Sequence, residues 1–375
     1  MVDLGLKTLL HDKTKFAITV SGVAFAVTLV LAQVGLFNGL LDNSDLTIRK
    51  CSADLWITSH NTANVDFPQH FPETLVDRVR TVPGVTKADN LLVSYVNVAL
   101  PSGASENAVV YALKDFKAWN LPWELRDGQI EDLRRGRFFF LDEGAARRFG
   151  KFSTGDFREV QETRLRIVGQ TRQAQSFTTN PIAFMDYDLL QSLQKDSLGG
   201  RTCYILVRLA AGADAHTVQA ELQRRLPYND VFTRSAWAKK SRDYWVVNTG
   251  IGMNAYLTVF LGCLVGLVVV GQTLYTSTME HIKEFGTVKA IGGTNRDIYA
   301  ILARQATVAA AVGFAFGLAM ALALKPLAER IYLKLVMPVP FILLVGAGTV
   351  LMCLAAAMLS FRKVANIDPG LVFRS

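Results

Sequence analysis

QTLYTSTMEHIKEFGTVKAIGGTNRDIYAILAR, residues 272–304, is the stretch from which the rest of the chain is read. It begins inside an uncharged span, residues 251–279, and passes into a short segment carrying Glu280, Lys283, Glu284 and Lys289. The segment stops at Gly292-Gly293 and restarts at Thr294 into another apolar span. Helical spacing continues through residues 278–291, where Ile282, Phe285, Val288 and Ile291 recur every three residues as an apolar stripe outside the bilayer. Gly292-Gly293 can end a helix by taking positive φ. Thr294-Asn295-Arg296-Asp297 has the pattern of a capping box, with Thr294 as N-cap and Asp297 closing it. The stripe either packs on the protein's own helices or docks in a groove of a cytoplasmic partner. Two membrane helices joined by a small charged helix give such a partner something to push on.

Working outward, four stretches lack Asp, Glu, Lys and Arg for about 20 residues or more, enough to cross a hydrocarbon core of about 30 Å. They are residues 16–41, 251–279, 305–324 (a helix of 302–324 with its flank) and 335–361. The first is too long for a signal-peptide core and lacks a small-x-small cleavage site, so it reads as a retained span. Lys7, Lys13 and Lys15 precede it. Lys283, Lys289, Arg296 and Arg304 lie between the second and third spans, and Arg362, Lys363 and Arg374 follow the fourth. The positive-inside rule places these flanks in the cytoplasm, although Lys325, Arg330 and Lys334 between the third and fourth spans depart from it. Both termini are then cytoplasmic, with a coupling segment at 280–300, a tail at 362–375 and a large extracytoplasmic domain at 43–248. Residues 1–15 place Val2, Leu6, Leu9 and Leu10 on one face, either an amphipathic helix on membrane lipid or a continuation of the first span. Composition agrees: 50% hydrophobic residues and a mean hydropathy of +0.24 coexist with 19% charged residues. The net charge of +8 is scattered, with no basic stripe interleaved with aromatics, so no nucleic acid partner is implied.

The fold class expected is therefore four transmembrane α-helices with a large, two-lobed α+β extracytoplasmic domain between helices 1 and 2. In that domain the patterns predict strands at 54–59, 137–141 and 202–209, and hairpins at 91–113 and 157–170. They predict helices at 73–82, 142–149, 186–195 and 214–226. Strand-and-helix blocks at about 50–115 and 200–235 flank a β-rich insert at about 116–190.

Catalytic chemistry is not visible. There is no G-x-S-x-G, H-E-x-x-H or G-x-x-x-x-G-K-[ST] pattern, so no catalytic or metal residue is assigned. His60, Asp66 and His70 are close in sequence, but Pro68 and polar neighbours describe a solvated loop; Asp142, Glu143 and Asp156 resemble ordinary turn and helix-start carboxylates. Cys263 and Cys353 lie in spans as packing residues, while Cys51 and Cys203 lie in the outer domain, where a disulfide could form. The spans hold no Asp, Glu, Lys, Arg or His, which disfavours an ion-coupled carrier. Gly262-x-x-x-Gly266 and Gly313-x-x-x-Gly317 permit close helix packing.

The run Glu284-Phe285-Gly286-Thr287-Val288-Lys289-Ala290-Ile291-Gly292-Gly293-Thr294, followed by Asp297-Ile298 and Gln305-Ala306, resembles the E-I-G-I-R-x-A-I-G-A-T…D-I…E/Q-A signature of MacB/FtsX-type ABC transporter permeases. The ending Arg362-Lys363-Val364-Ala365-Asn366-Ile367-Asp368-Pro369 resembles the family's A-x-x-x-P tail. Gly271-Gln272-Thr273-Leu274-Tyr275 and Ser176-Phe177-Thr178-Thr179-Asn180-Pro181 bring the chain nearest to the DevC-like exporter permeases. The resemblance covers the whole chain. It departs from fused MacB-type proteins, because no nucleotide-binding domain precedes the first span.

The resemblance implies a non-catalytic permease subunit in a bacterial inner membrane with its large domain periplasmic. It implies a second copy of the chain and separate ABC ATPase subunits that hold ATP and Mg. It also implies a periplasmic adaptor (membrane fusion) protein with an outer-membrane channel, and export of an amphiphile such as a glycolipid, peptide or drug by mechanotransmission. ATPase coupling would fall on Lys283, Glu284, Phe285, Gly286, Val288, Lys289, Ala290, Ile291, Gly292 and Gly293, with Thr294 and Asp297 capping the next helix. The rival roles are a lipoprotein-releasing permease and an FtsX-like regulator of a cell-wall hydrolase.

Overall fold

The computed structural model describes residues 13–134, 136–178, 180–331 and 333–365. Residues 1–12 of the expected amphipathic segment, 366–375 of the expected tail and Thr179 lie outside these. The chain divides into two compact units, one of which is Leu40–Ile251.

The membrane unit is built on four helices long and apolar enough to span a bilayer: Lys13–Ser44, Gly250–Glu280, Asn295–Arg330 and Val339–Ala365. The first is their hub. Its most apolar window is 56% buried, against 22–28% for the other three. Small residues explain this, because a missing side chain lets helix backbones close in where no water drives association. A Cβ on Gly262 would lie 3.0 Å from Leu29, and one on Gly266 would lie 2.9 Å from Ala26. On the third span, Gly313 faces Val23 at 2.6 Å and Gly317 faces Val27 at 2.7 Å. Thr28 Oγ1 also donates to the Gly317 carbonyl at 3.1 Å. Both glycine pairs are thus consumed within one chain, around a core that includes Val23, Val27, Leu31, Ala306 and Ala310.

Two helix limits differ from expectation. The third span begins at Asn295 rather than 302, because its capping box starts it ahead of the apolar window, and it continues through Pro326 to Arg330. The fourth begins at Val339 rather than 335. Pro338 disfavours helix in the residue before it, so the chain before it stays out of helix. There the Val336 N–H donates to the Gly35 carbonyl at 2.9 Å.

The outer domain carries one continuous sheet in the order β12 (Asn229–Thr233), β1 (Leu55–Ser59), β11 (Tyr204–Leu209), β3 (Val85–Ala99), β4 (Ser105–Leu113), β9 (Ile182–Asp186), β6 (Phe138–Asp142), β8 (Thr163–Thr171) and β5 (Leu125–Asp127), with β7 (Phe157–Val160) pairing β3 and β8, and a separate short pair of β2 (Phe71–Pro72) and β10 (Arg201–Thr202). Its axis is the 15-residue strand β3 (Val85–Ala99). Residues Val85–Leu91 of β3 pair antiparallel with β11 (Tyr204–Leu209), and Leu92–Ala99 pair antiparallel with β4 (Ser105–Leu113). On the β11 side lie β1 (Leu55–Ser59) and β12 (Asn229–Thr233), backed by helices Leu75–Arg80 and Ala215–Arg225 over a small core with Val79, Ile205 and Leu222. On the β4 side the sheet is mixed. Strand β9 (Ile182–Asp186) runs parallel to β4, and β6 (Phe138–Asp142) runs parallel to β8 (Thr163–Thr171).

The sheet has two halves that share β3, and β4, expected in the first flanking block, sits among the strands of the insert. The hairpin from β7 (Phe157–Val160) to β8 turns on Gln161 and Glu162, both at positive φ (48° and 60°), as a twisted two-residue turn requires. Asp186 and Asp214 cap the helices that follow them. Strands β9 and β12, the helix Arg234–Asp243 and the π-turn Tyr244–Asn248 were not expected. Cys51 and Cys203 are buried free thiols, each pushed up to about 12 by that burial, so the disulfide considered from sequence is not formed.

Candidate functional site

The connector between the second and third spans is a separate helix, Ile282–Ala290, rather than the continuous extension expected from spacing. The second span ends at Glu280, and His281 leaves helical geometry at φ −91°, ψ 18°. The break is a hand-over of hydrogen bonds. The His281 N–H closes the old helix on the Ser277 carbonyl at 3.2 Å, and the His281 carbonyl opens the new one by accepting from Glu284 and Phe285. His281 Nδ1 lies 2.8 Å from Glu284 Oε1. No local signal in the sequence marks the break, because an i, i+3 pair suits an uninterrupted helix equally well. Just before it, Glu280 pairs with Lys15 of the first span.

The C-terminal end of the connector is a Schellman turn. The Gly293 N–H reaches the Val288 carbonyl at 2.8 Å, and the Gly292 N–H reaches the Lys289 carbonyl at 3.1 Å. The two glycines are needed for different reasons. Gly292 sits at φ +96°, a region that L side chains resist. Gly293 has ordinary φ, but a Cβ there would lie 2.6 Å from the Val288 carbonyl oxygen. Thr294 then caps the third span. Asp297 Oδ2 accepts from the Thr294 N–H at 2.8 Å, and the Thr294 hydroxyl faces the Asp297 N–H, which completes the predicted box.

The expected stripe divides. Phe285 is 5% exposed and packs in the membrane unit's core with Leu274, Ile298 and Leu302. Gly286 is buried beside it, and Ile282 and Val288 are half-buried. Phe285 is therefore the connector's anchor on its own chain. Lys283, Glu284, Thr287 and Ile291 are exposed, with Ile291 at 81%. Lys289 is half-buried, and Ala290 is the last helical residue. The surface offered outward is thus a carboxylate and a large aliphatic side chain on a short helix that is clamped from beneath.

One carboxylate of the outer domain was misread from sequence, and a second, Asp142, is the helix-start cap expected but lies deeper than its local sequence implied. Asp66 is not on a solvated loop; Asn64, Val65 and Asp66 are at most 2% exposed. The Tyr95 hydroxyl donates to the Asp66 carbonyl, and the Tyr204 hydroxyl to that of Val65. These tyrosines come from distant strands, so local polarity could not reveal the burial. His60 pairs instead with Asp230 at 2.8 Å. No His/Cys/Asp/Glu group able to hold a metal ion occurs among the described residues. Asp142 is also fully buried, and accepts from the Gly144 and Ala174 N–H groups and the Thr171 hydroxyl. Burial pushes both carboxyls up to about 7.

Comparison with known proteins supplies two family matches. The MacB-like periplasmic core domain matches residues 16–225, and the FtsX-like permease C-terminal domain matches residues 256–369. An uncharacterised ABC transporter permease of Mycobacterium tuberculosis is 26% identical over 379 residues, covering 100% of this chain and 99% of its own. One of Mycobacterium bovis is 26% identical over 365 residues, covering 95% and 94%. The crystal structure of the periplasmic region of MacB from Actinobacillus actinomycetemcomitans superposes with a TM-score of 0.39 at 12% identity, covering 50% of this chain and 92% of that one.

Proposed function

The chain belongs to the ABC transporter permeases with a MacB-like periplasmic core domain and an FtsX-like C-terminal domain, and on that premise we propose that it is the mechanotransmitting subunit of an ATP-driven exporter. It is a multi-pass membrane protein with a large extracellular domain. In the reading proposed, both termini and the connector face the cytoplasm. A separate ATPase holding ATP and Mg docks on the connector, and its closure is relayed through the helices to the outer domain. A periplasmic adaptor and an outer-membrane channel would complete the path for an amphiphilic cargo.

The observation that carries this reading is the connector: Glu284 and Ile291 point outward while Phe285 ties the same helix into the bundle. A partner that moves Glu284 must move the core around Leu274 and Leu302, because packed cores transmit displacement rather than absorb it. The stretches 16–41, 251–279, 305–324 and 335–361 contain no acidic or basic side chain to couple an ion gradient. That absence supports an external ATPase as the energy source.

A second copy is supported by the second span. Asn254, Leu257, Leu261, Leu264, Val268 and Gln272 form one exposed face along it. Two side-chain amides turned toward hydrocarbon are costly, and pairing with the same face of another protomer would satisfy them. The test is co-expression with the partner ATPase and recovery on a tag carried by this chain. The isolated chain should hydrolyse no ATP, and the co-purified complex should. Failure of the ATPase to co-purify with the intact chain would refute the assignment.

A further inference from the structure

The strongest unexplained feature lies in the outer domain, around Asp66. Its carboxyl is faced by the Phe177 backbone and the Trp245 side chain, which favour the ionised form, yet burial outweighs them. Oδ2 has no hydrogen-bond partner, and neither does the neighbouring Asn64 Nδ2. The ionisable groups that face Asp66 are hydroxyls on three strands: Tyr95 on β3, Tyr111 on β4 and Tyr204 on β11. None of them supplies the positive charge that an ionised buried carboxylate needs.

What Asp66 joins is equally specific. Phe177 belongs to the Ser176-Phe177-Thr178 segment, in a loop whose other end is held by the Ala174 N–H on Asp142. Trp245 belongs to the π-turn Tyr244–Asn248, which directly precedes the second span in sequence. The two rings stack at 3.9 Å and 11°, and Phe67, next to Asp66, packs on Trp245 at 5.7 Å. Helix geometry with i→i+5 bonds is rare and recurs at functional sites. The loop, the π-turn and the Asp66 segment thus meet at one carboxyl with an unused oxygen.

We propose that Asp66 is a proton-binding site whose protonated form latches the 174–178 segment to the π-turn that precedes the second span in sequence. The proton comes from solvent when the latch opens, and no other bond is made or broken. A neutral carboxyl can stay buried beside the Phe177 backbone and the Trp245 side chain. An ionised one is stabilised by hydration, which it gains only by opening. The sign follows from the raised value of about 7 in the closed form against 3.8 in a solvated one. The closed latch is most stable below about pH 4, weakens as pH rises toward 7 and changes little above it.

Amide hydrogen exchange on the full chain in detergent micelles tests this, with rates corrected for the intrinsic pH dependence of exchange. Between pH 5.5 and 8.5, opening at residues 176–178 and 245–248 should rise on the order of tenfold or more. Asp66→Asn, a neutral isostere, should hold both segments closed and flat across that range. A flat wild-type profile would overturn the proposal, and so would an Asp66→Asn profile that still titrates. If Asp66→Asn does not fold, Asp142→Asn decides. A retained titration at 245–248 assigns the proton to Asp66, and a lost one assigns it to Asp142 and overturns the proposal.

Discussion

A Cβ built on Gly313 would lie 2.6 Å from the Val23 Cβ, so the backbone of the third span meets the first span with no side chain between. The same holds for Gly317 and Val27 at 2.7 Å. The glycine pairs are therefore the means by which the first span becomes the hub of the membrane unit.

Gly313→Leu and Gly317→Leu should each destabilise the bundle by about 1–3 kcal/mol or block its assembly, as overpacking does. Gly348 has nothing within 4 Å of a built Cβ and serves as the control. Thermal unfolding in detergent should show a clear loss for the first two variants and near-native behaviour for Gly348→Leu. Equal behaviour of all three would refute the packing account.

The connector residues should separate by face. Glu284→Lys and Ile291→Asp alter exposed side chains, and should reduce recovery of the partner ATPase at least tenfold while leaving the permease folded, since a reversed charge at a docked contact commonly costs a few kcal/mol. Phe285→Asp places a carboxylate in the core and should instead lower the amount of folded permease. Size-exclusion profiles beside pull-downs distinguish the two. Normal recovery by Glu284→Lys and Ile291→Asp together would remove the docking role.

Gly292→Ala should cost about 1 kcal/mol through its positive φ, and Gly293→Ala should cost more, because the Val288 carbonyl would have to move. Both loosen the Schellman turn without touching the exposed face. The expected result is normal ATPase recovery with ATP hydrolysis uncoupled from export. Full export by the double variant would show that the turn is dispensable.

The exposed face of the second span should be a contact between copies. With Cys263 replaced by Ser, Leu264→Cys should give a disulfide-linked dimer on mild oxidation in membranes. Phe316→Cys, on a third-span position that is 60% exposed, should not. Cross-linking at Phe316 and not at Leu264 would place the second copy elsewhere.

Much of this was legible because its causes are local. Span length is a property of one window, and the Thr294–Asp297 box and the Gly292 turn each need only a few neighbouring residues. Those local signals mark the end of the connector and the start of the next helix, whereas the break at His281 had no such signal. The sequence could not say which way Phe285 faces, because that depends on Leu274, Ile298 and Leu302 closing around it. Strand β9 was missed because its partner β4 lies some seventy residues earlier, at Val109–Leu113 against Ile182–Asp186. Asp66 was misread for the same reason. Its neighbours in sequence are polar, whereas the groups that bury it arrive from Tyr95, Tyr204 and Trp245.

The most direct test of the central claim is a distance. Spin labels at Ser105, an exposed residue at the start of β4, report the separation of the outer domains of two protomers in a reconstituted complex with the ATPase. Double electron–electron resonance should give one distance distribution without nucleotide and a displaced one when ATP is trapped, and Glu284→Lys should abolish the displacement. Identical distributions in the two states, from a complex that hydrolyses ATP, would contradict mechanotransmission by this chain.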